Sequence, residues 1–526
     1  MVREFFKKEK IVIFLFIIGF ALSIFSAPYA TFCDEADVIT ASWLMNKGEL
    51  LYQDIFCHHM PVPYFLLQIL QLFSNHLLFL RIGFAILSQS YFIILYLFFR
   101  KKLHPYLIPI VSLFWAMTRH MFLQNMILAD TFVAFGLFTI FLEMIVNKKT
   151  KYALKDKILI SFATFISFGS SLIAVYPLLI FYVYYIVKRI LLYIKEKEKW
   201  LDYLKEDILF MGIVLFPFLI FALYLCITNT WNAFWENAIF FNTDYYSLYN
   251  GEGTPISLVI NQFLDFPQRL KNRTLFATIF VPQMFHYTAD VFIGISFVIF
   301  LVWSITAIYR YKSKAIVFIL FVYFCYMRKG FHCVTFLIFP QFFLAEGILW
   351  TSRKLKQNKT GKIKDALATV VILLYSAIYI TLMVIDLVDM VKKEELVTDY
   401  GKEYKDIILA VTEEQDTIWA APLKAELYFV TNRMPANENI FYLPWQSIKP
   451  GLNEEIEKDL LEKKPKVIVY DADELLWSET IVTSSYCGWL EKILEENYFT
   501  IERFDNVYFL KSEETEIREK LKDFNA

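Results

Sequence analysis

The sequence predicts a multi-pass α-helical membrane protein of about eleven transmembrane helices with a small α/β domain outside the cytoplasm. Hydrophobic residues make up 57% of the 526 residues, and the mean hydropathy is +0.45. A soluble protein of this length does not need so much apolar surface. Up to about residue 390, apolar runs of membrane-spanning length alternate with polar loops. The net charge of −1 gives no reason to expect a nucleic-acid partner.

The first apolar run, IVIFLFIIGFALSIFSA, is long enough to cross a bilayer. Basic residues precede it, as in a signal peptide, but the following SAPYATF is a poor cleavage site, so we predict a retained first helix. Lysine and arginine cluster at residues 7–10, 100–102, 147–157, 188–199, 309–314 and 352–364. The positive-inside rule places these clusters and the N-terminus in the cytoplasm.

The same rule requires residues 158–187 to form a hairpin of two helices, because basic clusters lie on both sides of this apolar segment. Gly169, Ser170 and Ser171 offer a place for the turn. The topology of residues 256–287 stays open, and an additional re-entrant pair would fit there. We predict a cell-membrane protein whose membrane domain covers residues 1–390.

Residues 391–526 follow a last span near residues 366–387 and read as a water-soluble extracytoplasmic domain. DTIWAA and PKVIVYDAD predict strands, LKAELYFVT and residues 486–496 predict helices, and YFTIERFDNVYFLK predicts a hairpin that turns at Asp505 and Asn506. This part has no glycine-rich phosphate loop and no metal-ligand spacing. We therefore predict a scaffold or an acceptor-docking module.

The first outer loop, residues 28–63, concentrates acids and histidines between two apolar runs. Ala36, Ile39, Trp43 and Leu44 recur at helical spacing and Gly48 stands where a C-cap would fall, which predicts an amphipathic helix on the membrane. Asp34 would lie at or beside the N-cap, where free N–H groups and the helix dipole favour a carboxylate. A base requires that form, although a capping role alone explains Asp34 as well.

The six cysteines form no CxxC pair and no zinc pattern. Only Cys33 and Cys57 share an outer loop, where a disulfide is possible chemistry. Two free thiols are the simpler expectation for this spacing.

The segment DEADVITASWLMNKGELLYQDIFCHHMPVPYFLL resembles the first outer loop of GT-C glycosyltransferases, the superfamily of the protein O-mannosyltransferases and the lipid A aminoarabinose transferases. An acidic pair after the first span, a step in which Gly48 is followed after three residues by Tyr52 and then by Asp54, and a His/Lys-Pro-Pro element, here HHMPVP, occur in the family's order. Further matches are Arg81, Asp130 in NMILADTFVAF, the stretch RKGFHCVTFLIFPQF, and the tail segments LYFVTNRMPA and KPKVIVY. The resemblance covers most of the chain.

The resemblance implies transfer of a sugar from a polyprenyl-phosphate donor to a hydroxyl on a lipid, a cell-envelope glycan or a protein, outside the membrane and with inversion. Asp34 matches the family's catalytic base, and Glu35 would help by orienting Asp34 or the acceptor. The leaving phosphate gains negative charge and needs cations. The residues predicted to bind it are His58, His59, Arg119, Arg328 and Lys329.

Some family members use a divalent metal at this position. Here His58, Asp130 and His332 would be its ligands, with Mg, Mn or Zn as the ion. The chain departs from the family at Cys57, where an acid often precedes the histidine, and at Met60, which replaces a proline. A soft ligand such as Cys57 would favour zinc over magnesium.

Asp130 lies at a membrane edge and needs a cationic partner, for which Arg119 is the nearest candidate in the sequence. The segment WNAFWENAIFFNTDYYSLYN resembles an outer loop that stacks on a sugar ring, although interfacial anchoring also explains its aromatic residues. The residues predicted to contact the sugar or acceptor are Tyr52, Asp54, Asn242 and Tyr245.

A transporter or flippase of a lipid-linked or small polar substrate is the alternative from another class. Transporters place ionisable groups and broken helices near the membrane midplane. In this sequence most acids and histidines collect at one face, and Glu346 is the clearest exception. This distribution favours the transferase.

Overall fold

The structure, a computed structural model, describes residues 9–147, 151–249, 287–326, 330–356, 363–393, 396–476, 481–522 and 524. The membrane part is helical. Its helices are α1 (Lys10–Phe25), α2 (Cys33–Lys47), α3 (Val62–Gln71), α4 (Leu77–Phe99), α5 (Leu107–Thr118), α6 (Ala129–Val146), α7 (Leu154–Phe168), α8 (Val175–Lys195), α9 (Trp200–Ile227), α10 (Trp231–Phe234), α11 (Ser247–Tyr249), α12 (Tyr287–Tyr311), α13 (Ala315–Phe324), α14 (Val334–Lys356) and α15 (Ile363–Lys393). Two π-helical segments, Trp235–Phe240 and Asn242–Tyr246, lie between α10 and α11.

Seven helical ranges among the described residues are long and apolar enough to cross a membrane. They are Leu77–Phe99, Ala129–Val146, Leu172–Lys195, Trp200–Ile227, Val291–Phe324, Val334–Lys354 and Thr369–Lys393, and α1, α3 and α5 are shorter apolar helices. The structure therefore confirms a multi-pass helical membrane protein, whereas the count of about eleven spans stays a prediction. The open region at residues 256–287 lies outside the described residues, apart from the first residue of α12.

Two turns between membrane helices are visible, and the first of them was predicted. The break between α7 and α8 begins at Gly169, the C-cap of α7, which confirms the turn predicted at residues 169–171. A second reversal separates α12 from α13 at Lys312–Lys314, where Lys312 adopts a positive φ of 53°. The ring of Phe297 on α12 lies 4.8 Å from that of Tyr326, just beyond α13, so the two helices run side by side. Glu346, which the sequence left without a role, pairs with Arg310 of α12.

The C-terminal part contains a five-stranded sheet surrounded by helices. Its helices are α16 (Lys402–Val411), α17 (Glu426–Thr431), α18 (Pro444–Ser447), α19 (Leu452–Lys463), α20 (Ser484–Cys487), α21 (Trp489–Asn497) and α22 (Glu514–Leu521). Its strands are β1 (Thr417–Trp419), β2 (Met434–Pro435), β3 (Val467–Val469), β4 (Tyr498–Phe499) and β5 (Val507–Leu510). The strand order is β2-β1-β3-β5-β4, with β1 parallel to β2 and β3, and β5 antiparallel to β3 and β4.

Local sequence patterns located most of this domain. The strands in DTIWAA and PKVIVYDAD, the helix in LKAELYFVT and the helix that ends at Asn497 are all present. β4 and β5 form the predicted hairpin, and Asn506 at its turn has a positive φ of 63°. Asparagine tolerates this conformation better than most residues, so it suits the position.

The C-terminal domain does not have a core to itself. One continuous hydrophobic core joins residues of α2 and the first outer loop to residues of the domain. Trp43 of α2 packs edge-on against Phe429 of α17, and the hydroxyl of Thr40 donates to the carbonyl of Ala425 at 2.8 Å. The backbone N–H of Phe56 also donates to the carbonyl of Glu438 at 3.0 Å. The domain is thus a cap that is packed on the first outer loop.

This packing corrects the prediction of an amphipathic surface helix at residues 34–48. α2 begins at Cys33 and ends at the predicted C-cap, Gly48, whose φ is 107°. Every residue from Val38 to Met45 is buried, so no face of this stretch is left polar and open. The physical reason is that α2 lies between the C-terminal domain on one side and α3 on the other, where the hydroxyl of Ser42 donates to the carbonyl of Tyr64 at 3.0 Å.

Candidate functional site

A fully buried ion pair holds the start of α2. Glu35, in the first turn, accepts hydrogen bonds from Arg81 of α4, whose Nε lies 3.0 Å from Oε1 and 3.1 Å from Oε2, and whose Nη2 also contacts Oε2. Both side chains are 0% exposed. Oε1 also accepts from the backbone N–H of Ile127 at 3.0 Å. The carboxylate of Glu35 therefore joins α2, α4 and the segment between α5 and α6.

The Nη1 group of Arg81 holds the segment that precedes α2. Nη1 donates to the carbonyls of Ala27, Tyr29 and Ala30 at 3.2, 3.0 and 2.8 Å. A planar guanidinium suits this arrangement because it donates in several fixed directions at once. These contacts tie residues 27–30 to α4, and they therefore set the direction of the first turn of α2.

Asp34 lies beside this ion pair but on a more exposed face. It is the second residue of α2, in the first turn, where backbone N–H groups favour a carboxylate. Its side chain is half-buried, whereas that of Glu35 is buried completely. The Sγ–H of Cys33 points at Oδ1 of Asp34 over 3.6 Å. The acidic pair is thus divided between a structural Glu35 and an accessible Asp34.

One turn further along α2, Asp37 accepts a hydrogen bond of 2.6 Å from the hydroxyl of Tyr64. Burial raises the pKa of Asp37 to about 7, the hydrogen bond from Tyr64 opposes the rise, and the charge of Asp34 adds to it. Asp37 is thus an acid with a raised pKa one turn from Asp34 in the same helix. Sequence reasoning missed it, because only the tertiary packing of α3 buries it.

The middle of the first outer loop is held by its own polar side chains. Asp54 Oδ2 accepts from the backbone N–H of Leu50 at 2.9 Å, which closes a tight turn. Tyr52 is 1% exposed, has a positive φ of 76°, and donates its hydroxyl proton to the carbonyl of His59 at 3.0 Å. This placement gives both residues an architectural role, and sugar contact by either stays a prediction without structural support.

The predicted residues His58, His59 and Asn242 come together in an aromatic cluster. The ring of His58 stacks on Tyr246 with centroids 5.6 Å apart and approaches Trp445 of the C-terminal domain edge-on at 6.3 Å. Asn242 donates to the carbonyl of His58 at 2.6 Å. His59 is exposed, and its ring centroid lies 4.0 Å from that of His58. Tyr245 packs at the edge of this cluster, against Phe241 at 5.6 Å.

Asp130 is paired with His332, not with Arg119 as we predicted. His332 Nδ1 lies 3.0 Å from Asp130 Oδ2. Arg119 is 1% exposed and donates to the carbonyls of Gln124 and Ser23 at 3.0 and 3.3 Å. Its Nη2 is buried without a hydrogen-bond partner among the described residues. The predicted phosphate-binding residues Arg328 and Lys329 lie outside the described residues.

The predicted metal ligands do not assemble into one site. Asp130 and His332 form a pair, whereas His58 belongs to the aromatic cluster. Within the described part of the chain, no group of three or more histidine, cysteine, aspartate and glutamate side chains is arranged to hold a metal ion. Among the described residues, Cys33 and Cys57 of the first outer loop are not joined by a disulfide.

A cavity of about 250 Å³ lies beside Cys33, the residue before Asp34, between the start of α2 and the C-terminal domain. Phe32 and Cys33 form one side, and Lys424, Glu426 and Glu474 lie on the other. Sequence reasoning missed the three domain residues. Their segments carry no motif, and only the packing of the domain onto the first outer loop brings them to α2.

The structure has the features that the resemblance to GT-C glycosyltransferases implies, namely helices long enough to cross a membrane, an acidic pair on the first helix of the first outer loop, and a C-terminal α/β cap. No protein-family model matches the chain, and no curated protein matches its sequence. Among solved structures, the chain is similar to ArnT, an aminoarabinose transferase, from Cupriavidus metallidurans bound to undecaprenyl phosphate. The TM-score is 0.50 and the identity 13%, over 95% of this chain and 98% of that chain.

The apo oligosaccharyltransferase of Archaeoglobus fulgidus is also similar. The TM-score is 0.49 and the identity 12%, and the match covers 89% of this chain and 70% of that chain. At such identities the likeness concerns the fold. The resemblance seen in the sequence is therefore confirmed as a likeness of fold.

Proposed function

We propose that the protein is a membrane glycosyltransferase that moves a sugar from a polyprenyl-phosphate donor to a hydroxyl acceptor outside the membrane, with inversion. The GT-C-like fold supports this class. The observation that carries the proposal is the division of the acidic pair, in which Arg81 fixes Glu35 and leaves Asp34 half-buried beside a cavity. A general base must be placed accurately and must also remain accessible to its substrate.

Asp34 would accept the proton of the acceptor hydroxyl as that oxygen attacks the anomeric carbon. Its position in the first turn of α2 favours the ionised form that a base needs. Glu35 then has a positioning role only, because its carboxylate already accepts hydrogen bonds from Arg81 and from the N–H of Ile127. Its helper role is to hold the first turn of α2 in place.

The leaving phosphate needs positive charge where its oxygens become more negative. Among the described candidates, Arg119 has the strongest support, because its Nη2 is buried and lacks a partner that an anion would supply. The exposed imidazole of His59, beside His58, is the second. These two positions would contact the donor on the side of α2 that faces the membrane helices and the aromatic cluster.

A divalent metal would also neutralise the phosphate. Asp130 and His332 are a chemically suitable pair of ligands, since metals of this kind bind carboxylate and imidazole. If such an ion takes part, treatment with a chelator should stop transfer, and an added divalent cation should restore it. Transfer that resists chelation would assign the phosphate to the basic side chains.

Native mass spectrometry of the Asp34→Asn variant, purified in mild detergent, tests the proposal. Without its base the enzyme should keep the donor unreacted, so a bound polyprenyl-phosphate sugar should be seen and its mass should identify the sugar. Asp505→Asn, an exposed hairpin residue far along the chain, is the matched control. If neither the wild type nor Asp34→Asn binds such a lipid, even after a panel of them is added, the transferase proposal is overturned in favour of a transporter.

A further inference from the structure

The cavity beside Asp34 contains a carboxylate that nothing in the fold explains. Glu426, at the start of α17, is only 7% exposed, and its Oε2 has no hydrogen-bond partner among the described residues. Burial raises the pKa of this carboxyl to about 7, while its own backbone N–H and the nearby Lys424 lower it. A buried polar atom without a partner is costly and usually marks a missing water or ligand. A hydroxyl group that enters the cavity would satisfy it.

The rest of the cavity offers both kinds of hydrogen-bonding group and an apolar surface. Lys424 and Glu474 face each other in an ion pair of 2.7 Å. Phe32 and Tyr400 contribute rings, and Leu475 lies at the opening with 53% of its surface exposed. A sugar ring has hydroxyls that donate and accept and a C–H face that packs on aromatic rings. The volume of about 250 Å³ lies below that of drug-sized sites and suits a single ring.

The cavity reaches the residue that precedes Asp34 in α2. Cys33, which lines it, precedes Asp34 in α2, and its thiol points at the Asp34 carboxylate over 3.6 Å. Tyr400 joins the domain to the same turn by donating its hydroxyl proton to the carbonyl of Phe32 at 3.1 Å. Cys33 therefore links the wall of the cavity to the Asp34 carboxylate.

We propose that this cavity is the acceptor subsite and that the acceptor is a carbohydrate, one ring of which binds Glu426, Lys424 and Glu474 and presents a hydroxyl to Asp34. This inference rests on the proposed transferase function and narrows its acceptor from lipid, glycan or protein to a glycan. It also gives the C-terminal domain direct contact with the substrate. An acceptor recognised through a peptide would leave the Glu426 carboxylate and its neighbours without a polyhydroxylated partner.

The test is saturation-transfer NMR on the full-length protein in nanodiscs, with methyl glycosides of common hexoses, pentoses and N-acetylhexosamines as probes. The wild type should bind at least one of them. Glu426→Gln keeps the size of the side chain and removes its charge, and it should weaken binding about 10- to 100-fold, as expected for the loss of hydrogen bonds to a charged group. Equal binding by wild type and Glu426→Gln, or no binding of any probe by the wild type, would overturn the proposal.

A second variant avoids any change in the buried core. Leu475→Trp should fill the opening and abolish probe binding, whereas Leu461→Trp, the same change at an exposed position of α19, should leave it intact. Melting temperatures establish that both variants are folded. If Leu475→Trp binds the probes as well as Leu461→Trp does, the cavity is not the subsite.

Donor binding is measured separately from probe binding, so a failure of the transferase proposal can be told apart from a failure of the acceptor-subsite proposal. Glu426→Gln and Leu475→Trp should retain a polyprenyl-phosphate sugar in native mass spectra as the wild type does, and should raise the KM for a glycan acceptor more than they lower kcat. Loss of the donor in these variants, with probe binding unchanged, would contradict the acceptor assignment. If the protein binds the probes but no polyprenyl-phosphate donor, the proposal of a carbohydrate site stands and the proposal of a transferase is overturned.

Discussion

The two halves of the first outer loop are held in different ways. Residues 27–47 are fixed by a buried ionic network, in which Arg81 binds Glu35 and three backbone carbonyls. Residues 50–61 are held by ring contacts, in which His58 and Phe56 pack on the aromatic segment after α10 and on Trp445, and by the hydrogen bonds of Asp54 and Tyr52 within the loop. An ion pair with several hydrogen bonds holds one geometry, whereas ring contacts tolerate small shifts. The first arrangement suits a base that must be aimed, and the second suits a surface that adapts to a ligand.

The comparison also shows how neighbouring acids acquire different roles. Glu35 and Asp34 are adjacent in sequence, but successive residues of a helix point about 100° apart. Glu35 therefore faces Arg81 in the interior, and Asp34 is half-buried on another side of α2. The buried pair positions the helix, and the half-buried acid is left for chemistry.

The largest effect is expected from Arg81→Ala, which leaves the Glu35 carboxylate buried without its cation. Removal of one partner from a buried pair costs about 3–5 kcal/mol. Chemical or thermal unfolding in detergent should show a loss of this size. Lys492→Ala, at an exposed position of α21, is the control and should change stability by no more than about 0.5 kcal/mol.

The double variant Arg81→Ala with Glu35→Ala sharpens this test. Its loss of stability should be smaller than the sum of the losses in the two single variants, because neither charge is then left unpaired. Additive losses would mean that the two residues do not act as a pair. The claim that an ionic network fixes residues 27–47 would then be wrong.

A smaller effect is expected from Asp37→Asn and depends on pH. The folded-state pKa of Asp37, about 7, lies above its ordinary value of 3.8, so the folded protein binds the proton more tightly than the unfolded chain. The stability from this group is complete below about pH 4 and is lost as the pH rises to about 7, with a slope of up to about 1.4 kcal/mol per pH unit.

Melting curves between pH 5 and pH 8 measure this effect as the difference between wild type and Asp37→Asn. The difference removes the contributions of Glu426 and Glu438, whose pKa values burial also raises to about 7. Parallel curves for the two proteins would show that Asp37 is not the group that titrates.

The smallest effect is expected in the aromatic half. His58→Ala removes the stacking on Tyr246 and should cost about 0.5–1.5 kcal/mol, the usual worth of a ring pair. His76→Ala, at an exposed position before α4, is the control and should be nearly neutral. A raised KM for the donor in His58→Ala would support the predicted phosphate contact. A loss of stability as large as that of Arg81→Ala would contradict the proposed difference between the two halves of the first outer loop.

Much of the fold could be predicted because it depends on local patterns. Apolar run lengths gave the membrane helices, and Gly48 and Asn506 marked a helix end and a hairpin turn by their tolerance of positive φ. The burial of α2 on all sides could not be predicted. Its cover comes from residues nearly 400 positions later in the chain, such as Ala425, which contacts Thr40.

The site was predictable only to the level of single residues. Asp34 and Glu35 stand out as acids after a first span, but their separate roles depend on Arg81, 46 positions beyond Glu35. The partner of Asp130 is His332, 202 positions away, although the sequence suggested the nearer Arg119. Glu426 shows no local signal, because its importance comes from being buried without a partner beside α2. Pairing over such separations is decided by tertiary packing.

The measurement that tests the central claim most directly is the rate of sugar transfer by Asp34→Asn, beside Asp505→Asn, once the bound donor has been identified. The account predicts that Asp34→Asn loses about 10²- to 10⁴-fold in kcat, the usual worth of a positioned base, while its donor binding and melting temperature stay at wild-type values. Asp505→Asn should transfer normally. Wild-type turnover in Asp34→Asn would contradict the account, because the accessible acid of the pair would then have no part in the reaction.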